Sequence, residues 1–170
     1  MSADEPVLAP FRKPGHDHRK CVRDALAAAD AVCASEGASL TPLRRRVLEL
    51  VWGAHAPVRA YDLLDALRAE RRGAAPPTVY RALDFLLSVG LIHRIEALNA
   101  FVGCANPARI HPGQFLICED CGAVAELDDA EIARSLAARA RTLGFAASRQ
   151  TVEIAGRCPD CRAGAEAAGG

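Results

Sequence analysis

Apolar positions return every three or four residues through most of the first ninety positions, then give way to short alternating runs. The first helical stripe covers about Lys20–Glu36, with Val22, Leu26, Ala29 and Cys33 in register and Gly37 as its stop. A second opens with Thr41 as N-cap. Pro42 follows in the first turn, where its missing N–H costs nothing, and the stripe continues through Leu43, Val47, Leu50 and Val51. A third covers about Ala60–Arg72 and stops at Gly73; a fourth covers about Pro77–Val89 and stops at Gly90. Beyond Gly90, "LIHRIEALNAFVGC" reads as two strands around a turn at Ala97–Leu98–Asn99. Three helices followed by a hairpin predict a winged helix-turn-helix, the first helix being an addition in front of it.

The second half reads differently. "NPARIHPG" is rich in turn formers and predicts a linker. "QFLIC", "AVAEL" and "ASRQTVEIAG" have strand character, and a helix ending at Gly144 lies between the last two. Asp128 followed by Glu131 predicts an acidic capping box for that helix. The fold class expected is therefore α+β: an α-rich domain over 20–103, a linker over 104–112 and a smaller α/β domain over 113–162. Residues 1–19, with three prolines and no period, are expected to be a mobile tail, and the Ala/Gly-rich 163–170 to fray.

Composition narrows the chemistry. Hydrophobic residues make up 51% of 170 and charged residues 25%, which calls for a packed core and argues against disorder. No run approaches the ~20 apolar residues of a membrane span, and the first twenty residues lack the apolar core of a secretion signal. A cytoplasmic protein without a membrane partner is expected. In that compartment seven cysteines point to metal or redox chemistry in place of disulfides. Charge is uneven: 14 Lys/Arg against 11 Asp/Glu in residues 1–94, and 7 against 10 in residues 95–170. That balance permits nucleic-acid binding by the first half. No nucleophile triad, phosphate loop or acid pair appears, so no catalytic residue is assigned and an enzyme is not expected.

Two Cys-x-x-Cys pairs stand out: Cys118 with Cys121, and Cys158 with Cys161, separated by 36 residues. Four thiolates make a structural Zn²⁺ site. Gly122 and Pro159 suit the tight knuckles that such pairs form. Structural zinc is the reading adopted; a redox centre, which needs only one pair at a helix start, and ordinary small core residues are the alternatives, in that order. Cys33, on an apolar stripe, reads as core; Cys21, His16 and His18 read as unliganded, and His55 as surface.

The fourth helix, "PPTVYRALDFLLSVG", turns Val79, Leu83, Leu86 and Leu87 inward. Thr78, Tyr80 and Arg81 lie near its N-terminal end, the part of a recognition helix that meets base edges. Arg81 is able to donate two bonds to a guanine. Arg59 and Tyr61, at the start of the third helix, suit a phosphate or a thymine methyl, and the run Arg44–Arg45–Arg46 suits the DNA backbone.

"LTPLRRRVLEL", "AYDLLDALR", "PPTVYRALDFLLSVGLIHRIE" and "FLICEDCGAVAEL", with a second Cys-x-x-Cys near the end, resemble the ferric uptake regulator superfamily over about residues 20–162. The likeness is greatest to its zinc-responsive branch. The resemblance implies a winged-helix DNA-binding domain joined by a hinge to an α/β dimerisation domain, in a homodimeric, metal-dependent repressor. Iron- and peroxide-sensing relatives carry a His-rich stretch before the first Cys-x-x-Cys; here only His111 stands in "NPARIHPGQF". A regulator of the same family sensing another metal or peroxide is the alternative reading. The zinc-responsive pattern maps a regulatory site onto His93, Cys104, His111 and Glu126, giving two zinc ions per subunit. Two imidazoles, a thiolate and a carboxylate suit tetrahedral Zn²⁺ and balance its charge. The resemblance further implies repression at a palindromic double-stranded operator of zinc-uptake genes. It also implies cooperation between two dimers through a pair such as Asp65 and Arg68.

Overall fold

A computed structural model describes residues 7–11, 17–54, 56–70 and 73–168, with side chains up to 165 in the last segment. Along the chain run β1 (Val7–Ala9), α1 (His18–Ser35), α2 (Pro42–Trp52), α3 (Ala60–Glu70), α4 (Pro76–Ser88), β2 (Ile92–Ile95) and β3 (Ala100–Gly103). Then come β4 (Gly113–Cys118), β5 (Val124–Leu127), α5 (Ala130–Thr142), β6 (Thr151–Gly156) and α6 (Pro159–Ala168). They form two compact units with boundaries after Arg12 and after Ile110.

The unit ending at Ile110 is a winged helix-turn-helix with α1 in front. Its core takes Ala29 and Cys33 of α1, Val47 and Val51 of α2, and Val79, Leu83 and Leu86 of α4 from the expected stripes, adds Leu48 of α2 and Leu63, Leu64 and Leu67 of α3, and leaves the expected Leu26, Leu43, Leu50 and Leu87 half-buried against it. Such stripes form because helical spacing puts every third or fourth residue on one face, and burying that face removes it from water. β2 and β3 pair antiparallel with Ile95 opposite Ala100, and Asn99 in the turn takes φ 46. Val58 and Phe101 exchange backbone bonds of 2.9 and 2.8 Å, adding a third short rung to the wing. The core side of the wing is tight at Gly103, where an added Cβ would lie 2.1 Å from Trp52 Cε2.

Helix caps explain the boundaries. Asp17 Oδ1 accepts from the Arg19 N–H at 2.9 Å, so α1 opens at His18, ahead of the Lys20 expected. Thr41 caps α2, its hydroxyl accepting from the Arg44 N–H at 3.5 Å, as its side-chain chemistry predicts.

The other unit is a four-stranded sheet of order β1-β5-β4-β6. β4 runs antiparallel to β5 and parallel to β6, with α5 in the crossover between β5 and β6. The cap of α5 differs from expectation: Asp129, not Asp128, accepts from the N–H groups of Glu131 and Ile132 at 2.8 and 3.1 Å. The reason is a buried neighbour. Gln114 on β4 accepts from the Asp129 N–H at 3.1 Å and donates to its carbonyl at 2.8 Å, fixing that residue at the helix entrance.

Two expected tails also hold structure. Val7–Ala9, inside the segment read as a mobile tail, forms β1 against β5. Residues 163–168, expected to fray, continue α6. Residues 1–6 and 12–16, with His16, the loop residue His55, Arg71 and Arg72 at the expected end of the third helix, and residues 169–170 lie outside the described residues.

Trp52 is the only tryptophan of the chain, so its fluorescence reports directly on the wing. Gly103→Ala should displace its ring, shift its emission and lower unfolding stability by about 1–3 kcal/mol. An unchanged emission maximum with an unchanged urea midpoint would contradict the packing described.

Candidate metal centres and nucleic-acid interface

Cys118 ends β4, Cys121 sits in the turn before β5, and Cys158 and Cys161 lie at the entrance and in the first turn of α6. The first knuckle is built by backbone bonds. The Gly122 N–H donates to the Cys118 carbonyl at 2.9 Å, the Cys118 N–H donates to the Ala123 carbonyl at 2.9 Å, and Gly122 takes φ 73. The parallel pairing of β4 with β6, through Cys118 opposite Gly156, brings the second knuckle alongside the first. An ion pair of 3.1 Å between Arg157 and Asp120 joins the two.

The four sulfurs lie within 4.8 Å of one another. Cys121 and Cys158 are 3.8 Å apart at Sγ, far beyond the ~2.05 Å of a disulfide. Zinc–sulfur bonds of ~2.3 Å at tetrahedral angles place sulfurs about 3.8 Å apart, so the donors fit Zn²⁺. Backbone N–H groups also point at the sulfurs: Cys158 to Cys118 Sγ at 3.3 Å and Cys161 to Cys158 Sγ at 3.5 Å. The N–H of Cys158, followed by that of Cys121, pulls the Cys118 thiol down to about 6. The neighbouring Cys158 and Cys121 thiols push Cys161 up instead. Four thiols this close cannot all ionise without a cation.

Four further donors were expected to share a second ion. Within the winged-helix unit, His93 is half-buried on β2, and Cys104, just past β3, is 3% exposed. The Cys104 N–H donates to the Leu91 carbonyl at 3.1 Å, carrying the hairpin pairing one step further. A ring nitrogen of His93 lies within 4.8 Å of the Cys104 sulfur. In the other unit, His111 Nε2 lies 3.6 Å from Glu126 Oε1, with side chains 2% and 4% exposed. Each unit thus presents one ready-made pair of donors. Cys33 is buried and its thiol is raised, chiefly by that burial, which leaves it inert.

The residues expected to face DNA fall into two groups. Thr78, Tyr80 and Arg81 are exposed in the first turns of α4, and Tyr61, 70% exposed, opens α3 beside the exposed Arg59. The Arg59 N–H donates to the Asp62 carboxylate at 3.2 Å, capping α3. The arginine run of α2 is engaged internally. Arg44 lies over the Phe85 ring, 3.5 Å from its centroid, and donates to the Ser39 carbonyl at 2.6 Å. Arg45 pairs with Asp30, and Arg46 with Glu49 and Glu70 at 2.8 and 2.6 Å. Asp65 and Arg68 are both exposed and 3.7 Å apart along α3.

Sequence reasoning missed β1, Gln114 and the Arg157–Asp120 pair. Only β1 left a signal: three apolar residues framed by Pro6 and Pro10 suit an edge strand.

Among known proteins, the chain is 39% identical to the "Zinc uptake regulation protein" of Escherichia coli (strain K12) over 140 residues, 82% of each chain. It is similar to the solved structure "Zinc Uptake Regulator Complexed With Zinc AND DNA", at 39% identity and TM-score 0.81, over 86% of this chain and 97% of that one. The crystal structure of holo XcZur is similar at 45% identity and TM-score 0.76, over 85% and 98% of the two chains. Residues 35–155 match the Ferric uptake regulator family. The four-thiol knuckle, the winged helix and these matches agree, and the chain belongs to the Ferric uptake regulator family.

Proposed function

We propose that this protein is a zinc-responsive transcriptional repressor that binds a palindromic operator as a homodimer and controls zinc-uptake genes. The likeness to a zinc uptake regulator solved with zinc and DNA carries the reading. It is not an enzyme; its site residues serve binding. No described helix is long and apolar enough to cross a membrane, and a cytoplasmic location suits a repressor of DNA.

Each subunit holds two zinc ions in this reading. Cys118, Cys121, Cys158 and Cys161 hold a structural ion. His93, Cys104, His111 and Glu126 hold the regulatory one. Bound zinc supplies a divalent positive charge that neutralises the Cys104 thiolate and Glu126 carboxylate. Two of the four donors come from the winged-helix unit and two from the other unit, so occupancy biases which arrangements of the units are populated. A hundredfold preference for the DNA-competent arrangement is worth ~2.7 kcal/mol.

The smaller unit is the dimerisation domain. None of the α5 side chains is buried, although the helix carries Ile132 and Leu136. Leu143, Phe145 and Ile154 are 85%, 64% and 50% exposed, and β6 is the edge of its sheet. An apolar surface beside an unpaired edge suits a second copy of the chain. In such a dimer the two α4 helices would enter successive major grooves ~34 Å apart. Arg81 reads a base, Thr78, Tyr80, Tyr61 and Arg59 contact base or backbone, and Arg44 reaches backbone phosphate from its seat on Phe85. Asp65 and Arg68 exchange partners between neighbouring dimers.

Cys104→Ser should leave a folded dimer retaining one zinc per subunit, without zinc-dependent operator affinity. Retention of wild-type zinc dependence in a gel shift would refute the regulatory assignment. Cys118→Ser should instead strip the structural ion and lower the melting temperature. Arg81→Ala should cost about 1–3 kcal/mol of operator binding and relax discrimination at one base pair, read by titration of operator variants at fixed salt. Asp65→Arg should abolish filling of DNA in double steps while single-dimer binding persists.

A further inference from the structure

β1 lies on the outer side of β5, the strand that carries Glu126. The register pairs Val7 with Leu127 and Ala9 with Glu126. Two steps along β1 therefore match one step along β5, and Leu8 is the additional residue of a β-bulge. Bulges bend a strand, raise its local twist and redirect the side chains opposite them. This one falls on the Glu126–Leu127 step.

The neighbours of Glu126 sharpen the point. Directly opposed residues of an antiparallel pair share a face of the sheet. Ala9 from β1 and Phe115 from β4 both pair with Glu126 across the sheet, and Glu126 and Phe115 are both buried. β5 itself has only four residues and leads within two positions to the Asp129 cap of α5. Without β1, its outer backbone groups would face water and its end would be free to fray.

We propose that the N-terminal strand β1 is a positioning element of the regulatory zinc site, holding Glu126 in line with His111 through the bulged pairing with β5. The proposal rests on the assignment of Glu126 as a regulatory ligand made above. Partners that orient metal ligands typically carry 10–100-fold in metal affinity.

The test compares the full chain with a variant lacking residues 2–11, the full-length Leu8→Pro and the full-length Glu126→Gln. Zinc is titrated against a chelator to separate the labile from the retained ion. Amide hydrogen exchange at Glu126 and Leu127 is followed in the zinc-depleted protein, and the melting temperature is recorded. Deletion should weaken the labile zinc roughly 10-fold, speed exchange at those two amides, and leave the retained zinc in place, while Leu8→Pro, at the unpaired residue of the bulge, should have the smaller effect of the two. Labile-zinc affinity within twofold of the full chain in both variants, with Glu126→Gln losing it, would overturn the role of β1 alone. Loss of both ions together would mean a general scaffold role, also against the proposal. Wild-type labile zinc in Glu126→Gln would overturn the ligand assignment and this inference with it.

Discussion

Four thiols gathered within 4.8 Å are unstable neighbours once ionised, and a cation of the right softness removes the conflict. Much of the smaller unit depends on that. The contiguous apolar core of this protein is made of winged-helix residues, from Ala29 to Phe101. The β4–β6 unit has little beyond Phe115, Ile117, Ala125 and the cysteines themselves. A domain this short of apolar burial is marginal alone. Metal binding contributes folding energy directly, and an ion shared by the two knuckles would close the 36-residue segment between them, next to the paired β4 and β6.

The winged-helix unit is the opposite case. Its four helices each bury apolar residues in one contiguous core, and several of its charged residues bridge those helices. Arg45 and Arg46 tie α2 to α1 and α3, while Arg44 spans from the α2 start to the Phe85 ring of α4. Exposed ion pairs of this sort are each worth little; the buried apolar residues set the helix packing, and the pairs lie over it. Thr78, Tyr80 and Arg81 are exposed at the start of α4.

Most of the fold was legible because its signals are local. Helical stripes, the Thr41 cap, the proline at the start of α2 and the strand–turn–strand of the wing all act over a few residues. The Cys-x-x-Cys spacings are equally local, so the metal chemistry was readable too. Errors came where a distant residue decided a local choice. Asp128 and Asp129 are equivalent as caps until Gln114, fifteen positions away, grips the Asp129 backbone. Val7–Ala9 is too short to declare itself a strand until β5 offers an edge.

The mixed set of imidazole, thiol and carboxylate was grouped only by the likeness to a family, while residue types and their spacing showed what else this chain has to offer: four thiols in two Cys-x-x-Cys pairs and an arginine in helix-turn-helix register. These follow from sequence alone because donor chemistry belongs to the side chain and periodicity to the backbone. Which arginines are consumed in packing, which aspartate caps α5 and which backbone flanks Glu126 were decided only by tertiary structure. Each depends on contacts between segments far apart in the chain, and a linear pattern carries no record of those until the sheet and the helices close.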